Sequence, residues 1–190
     1  AFGIQWYTVA HLGVGAQADA LYAGGTLPQI ATAFLMEPLG FVLIPFLSSK
    51  TEADRDRAGW PLLCAIAAVS SIVALLLFLV APIAVPLLAP GLAASTAALT
   101  VELAQIQAVG VIGAGCGIVL RSLSQAKGRF VWPALTVLIC TCGGWGLLVV
   151  GLDRWGVQLA AWVQVAIVTG PVLLQLPVLA GVAQGSLADI

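Results

Sequence analysis

Charge is what this sequence has least of. Its 190 residues include seven Lys or Arg and eight Asp or Glu, 8% in all, where a soluble domain carries about 25%. With 61% of the residues hydrophobic, that shortage excludes a water-soluble globular domain and makes the chain membrane-embedded. A formal net charge of -1 excludes a nucleic-acid partner, because phosphate binding needs a concentrated basic surface. Ala1 to Gly13 has neither a basic n-region nor a small-residue cleavage site ahead of a polar chain, so no secretory signal peptide is evident. The chain opens inside an apolar segment without an initiator methionine, and the expectation is a piece of something longer. The four cysteines (Cys64, Cys116, Cys140, Cys142) all lie in apolar stretches. They read as buried small hydrophobes, and Cys140-Thr-Cys142 is not a zinc spacing. Nucleophile-base pairs, metal-ligand clusters and phosphate-binding glycine loops are also missing, so no enzyme, cofactor or metal is expected.

What is present is concentrated in Gly13 to Ser49. A glycine-rich turn with Asp19 leads into a long apolar run that carries Pro28, Pro38, Pro45 and a single carboxylate, Glu37. From Ala20 onward the run is long enough to cross a bilayer, which takes about 20 helical residues. An ionised carboxylate near the bilayer centre costs about 2.5 to 3.5 kcal/mol on insertion scales, so such residues usually face a bundle interior or a water-filled cavity. Prolines in such a helix are tolerated where neighbours or water meet the freed carbonyls. The combination reads as a cavity-lining helix of a transport protein.

Charge and turn residues divide the remainder. The expected helices are about 1–13, 20–49, 60–88, 96–120, 130–152 and 157–183, the first of them partial. Lys50 to Arg57 (KTEADRDR) reads as a short solvated loop, Pro90-Gly91 as a turn, and Arg121 to Arg129 (RSLSQAKGR) as a second polar loop. The two polar loops hold six of the seven basic residues and only Arg154 falls on the other side. The positive-inside rule makes those loops cytoplasmic and turns Asp19, Pro90-Gly91 and Asp153 outward. His11, alone at the end of the first segment, reads as an ordinary interfacial residue.

Helices in lipid associate through small residues and interhelical hydrogen bonds. Gly113, Gly115 and Gly117, and Gly143, Gly144 and Gly146, read as packing surfaces, with flexible points in a moving helix as the alternative. Gln105, Gln107, Gln158, Gln164 and Gln175 put amides in the membrane, either for interhelical bonds or as a polar cavity wall. Gln164 and Gln175, eleven apart, share a helix face.

An ordered set of motifs then stands out. It runs from the Gly-x-Gly turn and Asp19-Ala20 through Leu27-Pro28, Glu37, Pro45 and Ala89-Pro90-Gly91. It continues through Gln125-Ala-Lys127-Gly128-Arg129-Phe130 with Pro133-Ala134, and closes at Leu176-Pro177. In order and spacing this resembles the amino-terminal helices of the MviN/MurJ-type lipid II flippases, of the multidrug/oligosaccharidyl-lipid/polysaccharide exporter superfamily. The resemblance implies an all-α integral membrane protein, a six-transmembrane-helix lobe of a two-lobed alternating-access transporter in the bacterial cytoplasmic (inner) membrane. It implies movement of undecaprenyl-diphosphate-linked peptidoglycan precursor across that membrane. Its partners would be the lipid-linked glycan substrate, membrane lipids and cell-wall synthesis proteins.

Residue by residue, Asp19 matches the family's acidic residue at the outer mouth of the second helix, and Glu37 an acidic residue farther down. Where the family has a basic pair, Thr32 and Ala33 stand here. Asp19, Glu37, Gln164 and Gln175 are the candidates for a substrate cavity or gate, although Asp19 also reads as a helix N-terminal residue and Glu37 as an internally paired carboxylate. Lys127 and Arg129 set topology or attract an anionic lipid head group. Three rival functions stay open: a flippase for another polyprenyl-linked polysaccharide, a non-transporting membrane scaffold or regulatory bundle, and a multidrug antiporter whose uncharged or cationic substrate would suit Glu37.

Overall fold

The computed structural model describes residues 2–13 and 15–179, with side chains from Trp6 to Pro177 apart from Leu12, and over those residues it is helical without a strand. In chain order the elements are α1 (Phe2–Leu12), α2 (Ala16–Ala31), a π-helical turn (Thr32–Met36), α3 (Glu37–Ser48), α4 (Glu52–Leu88), α5 (Ala94–Ala108), α6 (Gly110–Ala126) and α7 (Val131–Leu179). Among the described residues four continuous spans are long and apolar enough to cross a membrane: Ala16–Ser48, Glu52–Leu88, Ala94–Ala126 and Val131–Pro177. The last is broken at Gly156, whose φ of 60° and ψ of -154° are not helical. Its two limbs, 131–155 and 157–179, are each about 35 Å long at 1.5 Å per residue, enough to cross a hydrocarbon core of about 30 Å. The expected sixth helix, 157–183, runs beyond the described residues after 179.

Two expected loops are helical instead. The cluster Lys50 to Arg57 is not a solvated loop, because α4 starts at Glu52. Thr51 is its N-cap, with Oγ1 accepting from the Asp54 N–H at 3.3 Å, and Glu52 and Asp54 lie in the first turn, where the helix dipole favours acids. Likewise α6 runs six residues past the expected end at Leu120, to Ala126. Within it Ser124 donates to the Leu120 carbonyl at 2.9 Å. The helix stops at Gly128, where a φ of 72° lets the Gly128 N–H reach Gln125 O and the Arg129 N–H reach Ser124 O, both at 2.9 Å. That pair of bonds is a Schellman cap, which needs a left-handed residue at this position.

Packing follows the small residues. A Cβ on Gly24 would lie 3.0 Å from both the Ala104 nitrogen and the Thr100 carbonyl oxygen, so α2 and α5 meet backbone to backbone. Gly113 faces Thr169 of α7, Gly115 faces Ser70 of α4, and Gly144 faces Ile167 across the two limbs of α7, whereas Gly143 and Gly146 face open space. One apolar cluster joins α2, α5 and the Gly156 end of α7 (Ala20, Leu21, Leu103, Leu152, Val157, Ala161). A second joins α3, α4, α6 and the far part of α7 (Leu43, Leu47, Leu63, Val119, Leu120, Val172). Large apolar side chains such as Phe34, Phe41, Ile83, Leu87 and Val150 cover the outside, the surface a bilayer would solvate.

Candidate functional site

A cavity of about 640 Å³ opens beside the first apolar cluster, with Leu21 and Ile167 in its wall. One wall comes from α2, the π turn and the start of α3, another from the α5–α6 junction at Gln107 to Val111, and the third from both limbs of α7. Its shape begins with proline chemistry. Pro38 has no N–H for the carbonyl four residues back, and just ahead of it the helix widens into the Thr32–Met36 π turn. There the Glu37 N–H bonds to Thr32 O, five residues back. Pro28 interrupts the ladder one turn earlier, and Thr32 Oγ1 donates to the Pro28 carbonyl at 2.9 Å. A π turn inside an α-helix re-aims side chains and frequently marks a functional site. Here it brings Thr32, Ala33 and Glu37 onto the cavity wall.

Of the residues singled out by sequence, Glu37 and Gln164 line this cavity and are brought together across it. Neither side chain has a hydrogen-bond or ion-pair partner among the described residues. Asp19 and Gln175 lie off the cavity. Asp19 is exposed in the first turn of α2, whose N-cap, Gly15, has no side chain to offer. Gln175 is buried and donates from Nε2 to Thr136 Oγ1 at 3.0 Å, between the limbs of α7, while its Oε1 has no partner. Three other glutamines make bonds between helices: Gln105 to Phe78 O at 3.2 Å, Gln107 to Leu21 O at 3.1 Å and Gln158 to Glu102 Oε1 at 2.6 Å. Lys127 is ion-paired with Asp56 at 2.6 Å, its side chain largely covered, and Arg129 is half-buried beside it in the chain.

Sequence reasoning missed several residues. Gln29, Thr141 and Tyr22 also line the cavity, beside Gln107, one of the amides for which the sequence left a cavity wall open. The available signal was the four-residue spacing of Gln29, Ala33 and Glu37, which marks one helix face. Arg55, placed by sequence in a solvated loop, is buried, with Nε on Leu47 O at 3.0 Å and Nη2 on Lys50 O at 3.2 Å. It closes the carbonyl end of α3. At the other end of the bundle His11 stacks on Tyr7 and lies 3.5 Å from Asp153. Among the described residues no Lys or Arg lines the cavity, and no group of acidic, His or Cys side chains could hold a metal ion.

The architecture and site therefore define a multi-pass membrane protein with a half-open, partly polar cavity, the class expected of a transporter. A family model described as lipid II flippase MurJ matches residues 8–188, nearly the whole chain. The chain belongs to the lipid II flippase MurJ family, a family of lipid transporters rather than of catalysts. No match is found among curated proteins or solved structures.

Proposed function

We propose that this chain is the amino-terminal six-helix lobe of a two-lobed flippase that moves lipid II from the cytoplasmic to the outer face of a bacterial inner membrane. The family match over residues 8–188 carries the reading, and the cavity between α2, α5, α6 and α7 supports it. In this reading α1, the Ala16–Ser48 span, α4, the Ala94–Ala126 span and the two limbs of α7 are the six helices. The loops after Ser48 and Ala126, with their Lys and Arg residues, face the cytoplasm. The diphosphate needs cationic partners, and the cavity walls of this lobe supply none. Its cations therefore come from elsewhere in the complete transporter. That same absence favours one second reading, a flippase for another polyprenyl-linked glycan.

The test is lipid II exposure on the outer face of cells depleted of their own flippase and carrying the gene that encodes this chain. Restored exposure supports the first reading. A well-inserted protein that restores export of a different lipid-linked glycan, and not lipid II, supports the second.

A further inference from the structure

The residue beside Glu37 points in another direction. Met36, the last residue of the π turn, is buried and packs with Ala74 of α4 and Val111 of α6, whereas Glu37 lines the cavity. Successive residues of a helix stand about 100° apart around its axis. Whatever fixes Met36 in the joint between α4 and α6 therefore also fixes the direction in which Glu37 leaves the helix.

Apolar packing buries Met36 but gives it little direction, because its unbranched side chain adapts to many shapes. A directional contact comes from α4, where the fully buried Ser70 donates from Oγ to Met36 Sδ at 3.7 Å. Other helical hydroxyls behave differently. Thr32, Ser71, Thr100 and Ser124 each return their proton to the carbonyl four residues back in their own helix, the ordinary local bond for such residues. A thioether is a weak acceptor, so the Ser70 bond depends on how its hydroxyl is seated. Gly115 of α6 provides the seat: a Cβ there would collide with Ser70 Oγ and come 3.1 Å from Ser70 Cβ. The hydroxyl fits between α4 and α6 because position 115 carries no side chain.

Resting on the flippase reading above, we infer that Ser70 is a positioning residue for transport: seated against Gly115, its hydroxyl holds Met36 in the α4–α6 joint and so keeps Glu37 on the cavity wall. The π turn makes such a hold necessary. Its surplus residue can be lost or moved along the chain, and each shift turns one side of the helix against the other by about 100°. Such a turn takes Glu37 off the cavity. Pro28 and Pro38 interrupt the ladder in this stretch, but they do not choose the residue at which the surplus sits. The contact on Met36 does.

The test uses the complete transporter in detergent, with its native cysteines changed to alanine and Glu37→Cys as the reporter. The rate at which a small charged methanethiosulfonate modifies position 37 is measured alone and with Ser70→Ala, Met36→Leu or both. Each single substitution is expected to slow modification about twofold or more, and the pair no further than either alone, as one shared contact requires. A role in stability alone gives the opposite sign, since a loosened bundle exposes position 37 and speeds the reaction. An unchanged or faster rate with Ser70→Ala, or effects of the two substitutions that add, overturns the assignment. Lipid II translocation in vesicles, by protein with Glu37 in place, separates this claim from the one beneath it. A parent that moves lipid II, and a Ser70→Ala form that moves it equally well at matched amount, ends the positioning role and leaves the flippase. Slowed modification in a protein whose parent moves no lipid II ends the flippase and leaves Ser70 as the residue that orients position 37.

Discussion

The backbone N–H of Glu37 is bonded to the carbonyl of Thr32, five residues back, where a regular helix would use the fourth. This single wide turn leads directly into Glu37 and Pro38, and Glu37 is the one carboxylate on the cavity wall among the described residues. A local backbone defect thus positions the one charged group of an otherwise neutral wall.

Pro38→Ala tests that link. It restores the missing N–H donor and lets the turn close to α, which should hold thermal stability constant or raise it, since proline costs about 3 kcal/mol in a helix interior. Transport should nevertheless fall several-fold, as Glu37 loses its position. Transport at the original level, in a protein whose melting temperature has not dropped, would show that the π turn has no functional part.

Arg55 gives a prediction about stability alone. Its buried guanidinium bonds the Leu47 carbonyl in the last turn of α3 and the Lys50 carbonyl just beyond the helix, and hydrogen bonds to charged groups are worth about 1.5 to 3 kcal/mol. Arg55→Ala should therefore lower the unfolding temperature in detergent clearly. Arg57→Ala, on an exposed position two residues on, should move it hardly at all. Equal effects of the two substitutions would contradict the capping role.

The glycines divide by what lies opposite. Gly24→Ala forces a methyl against backbone atoms of Ala104 and Thr100 at 3.0 Å, and overpacking of this kind costs about 1 to 3 kcal/mol. Gly143→Ala meets nothing within 4 Å and should be neutral or stabilising by up to about 1 kcal/mol through helix propensity. Thermal unfolding of the two variants side by side checks the ordering.

Topology is open to a chemical test. With native cysteines removed, Ala93→Cys at the α4–α5 turn should react with an impermeant reagent added outside cells, and Ala53→Cys in the first turn of α4 only after the cells are opened. Reagent reaching position 53 from outside overturns the orientation.

The all-helical, membrane-spanning class was legible because it rests on composition and on runs of apolar residues, which no tertiary contact can reverse. The family resemblance was legible in the order of its motifs, and the match over residues 8–188 agrees with it. Helix ends were less legible. KTEADRDR looks like a loop by charge, yet Thr51 and its following acids form a capping sequence, and Arg55 is drawn inward by the carbonyls of α3. Charge alone does not say whether a polar residue meets water or a helix end. Within the site, Glu37 was conspicuous as a lone carboxylate in an apolar run. Gln29 and Thr141 were not, because their roles depend on which helices meet across the cavity. Gln175 shared a face with Gln164 in sequence, but eleven residues carry it about 16 Å along the axis, down to Thr136.

The most direct measurement is the outward movement of lipid II by Glu37→Gln and Glu37→Ala forms of the full-length protein, in cells depleted of their own flippase, with membrane levels and unfolding temperatures matched to the parent. Loss of lipid II exposure in both variants, from folded protein at normal abundance, is the outcome expected if the cavity around Glu37 lies on the substrate's path. Full exposure with Glu37→Ala would contradict it.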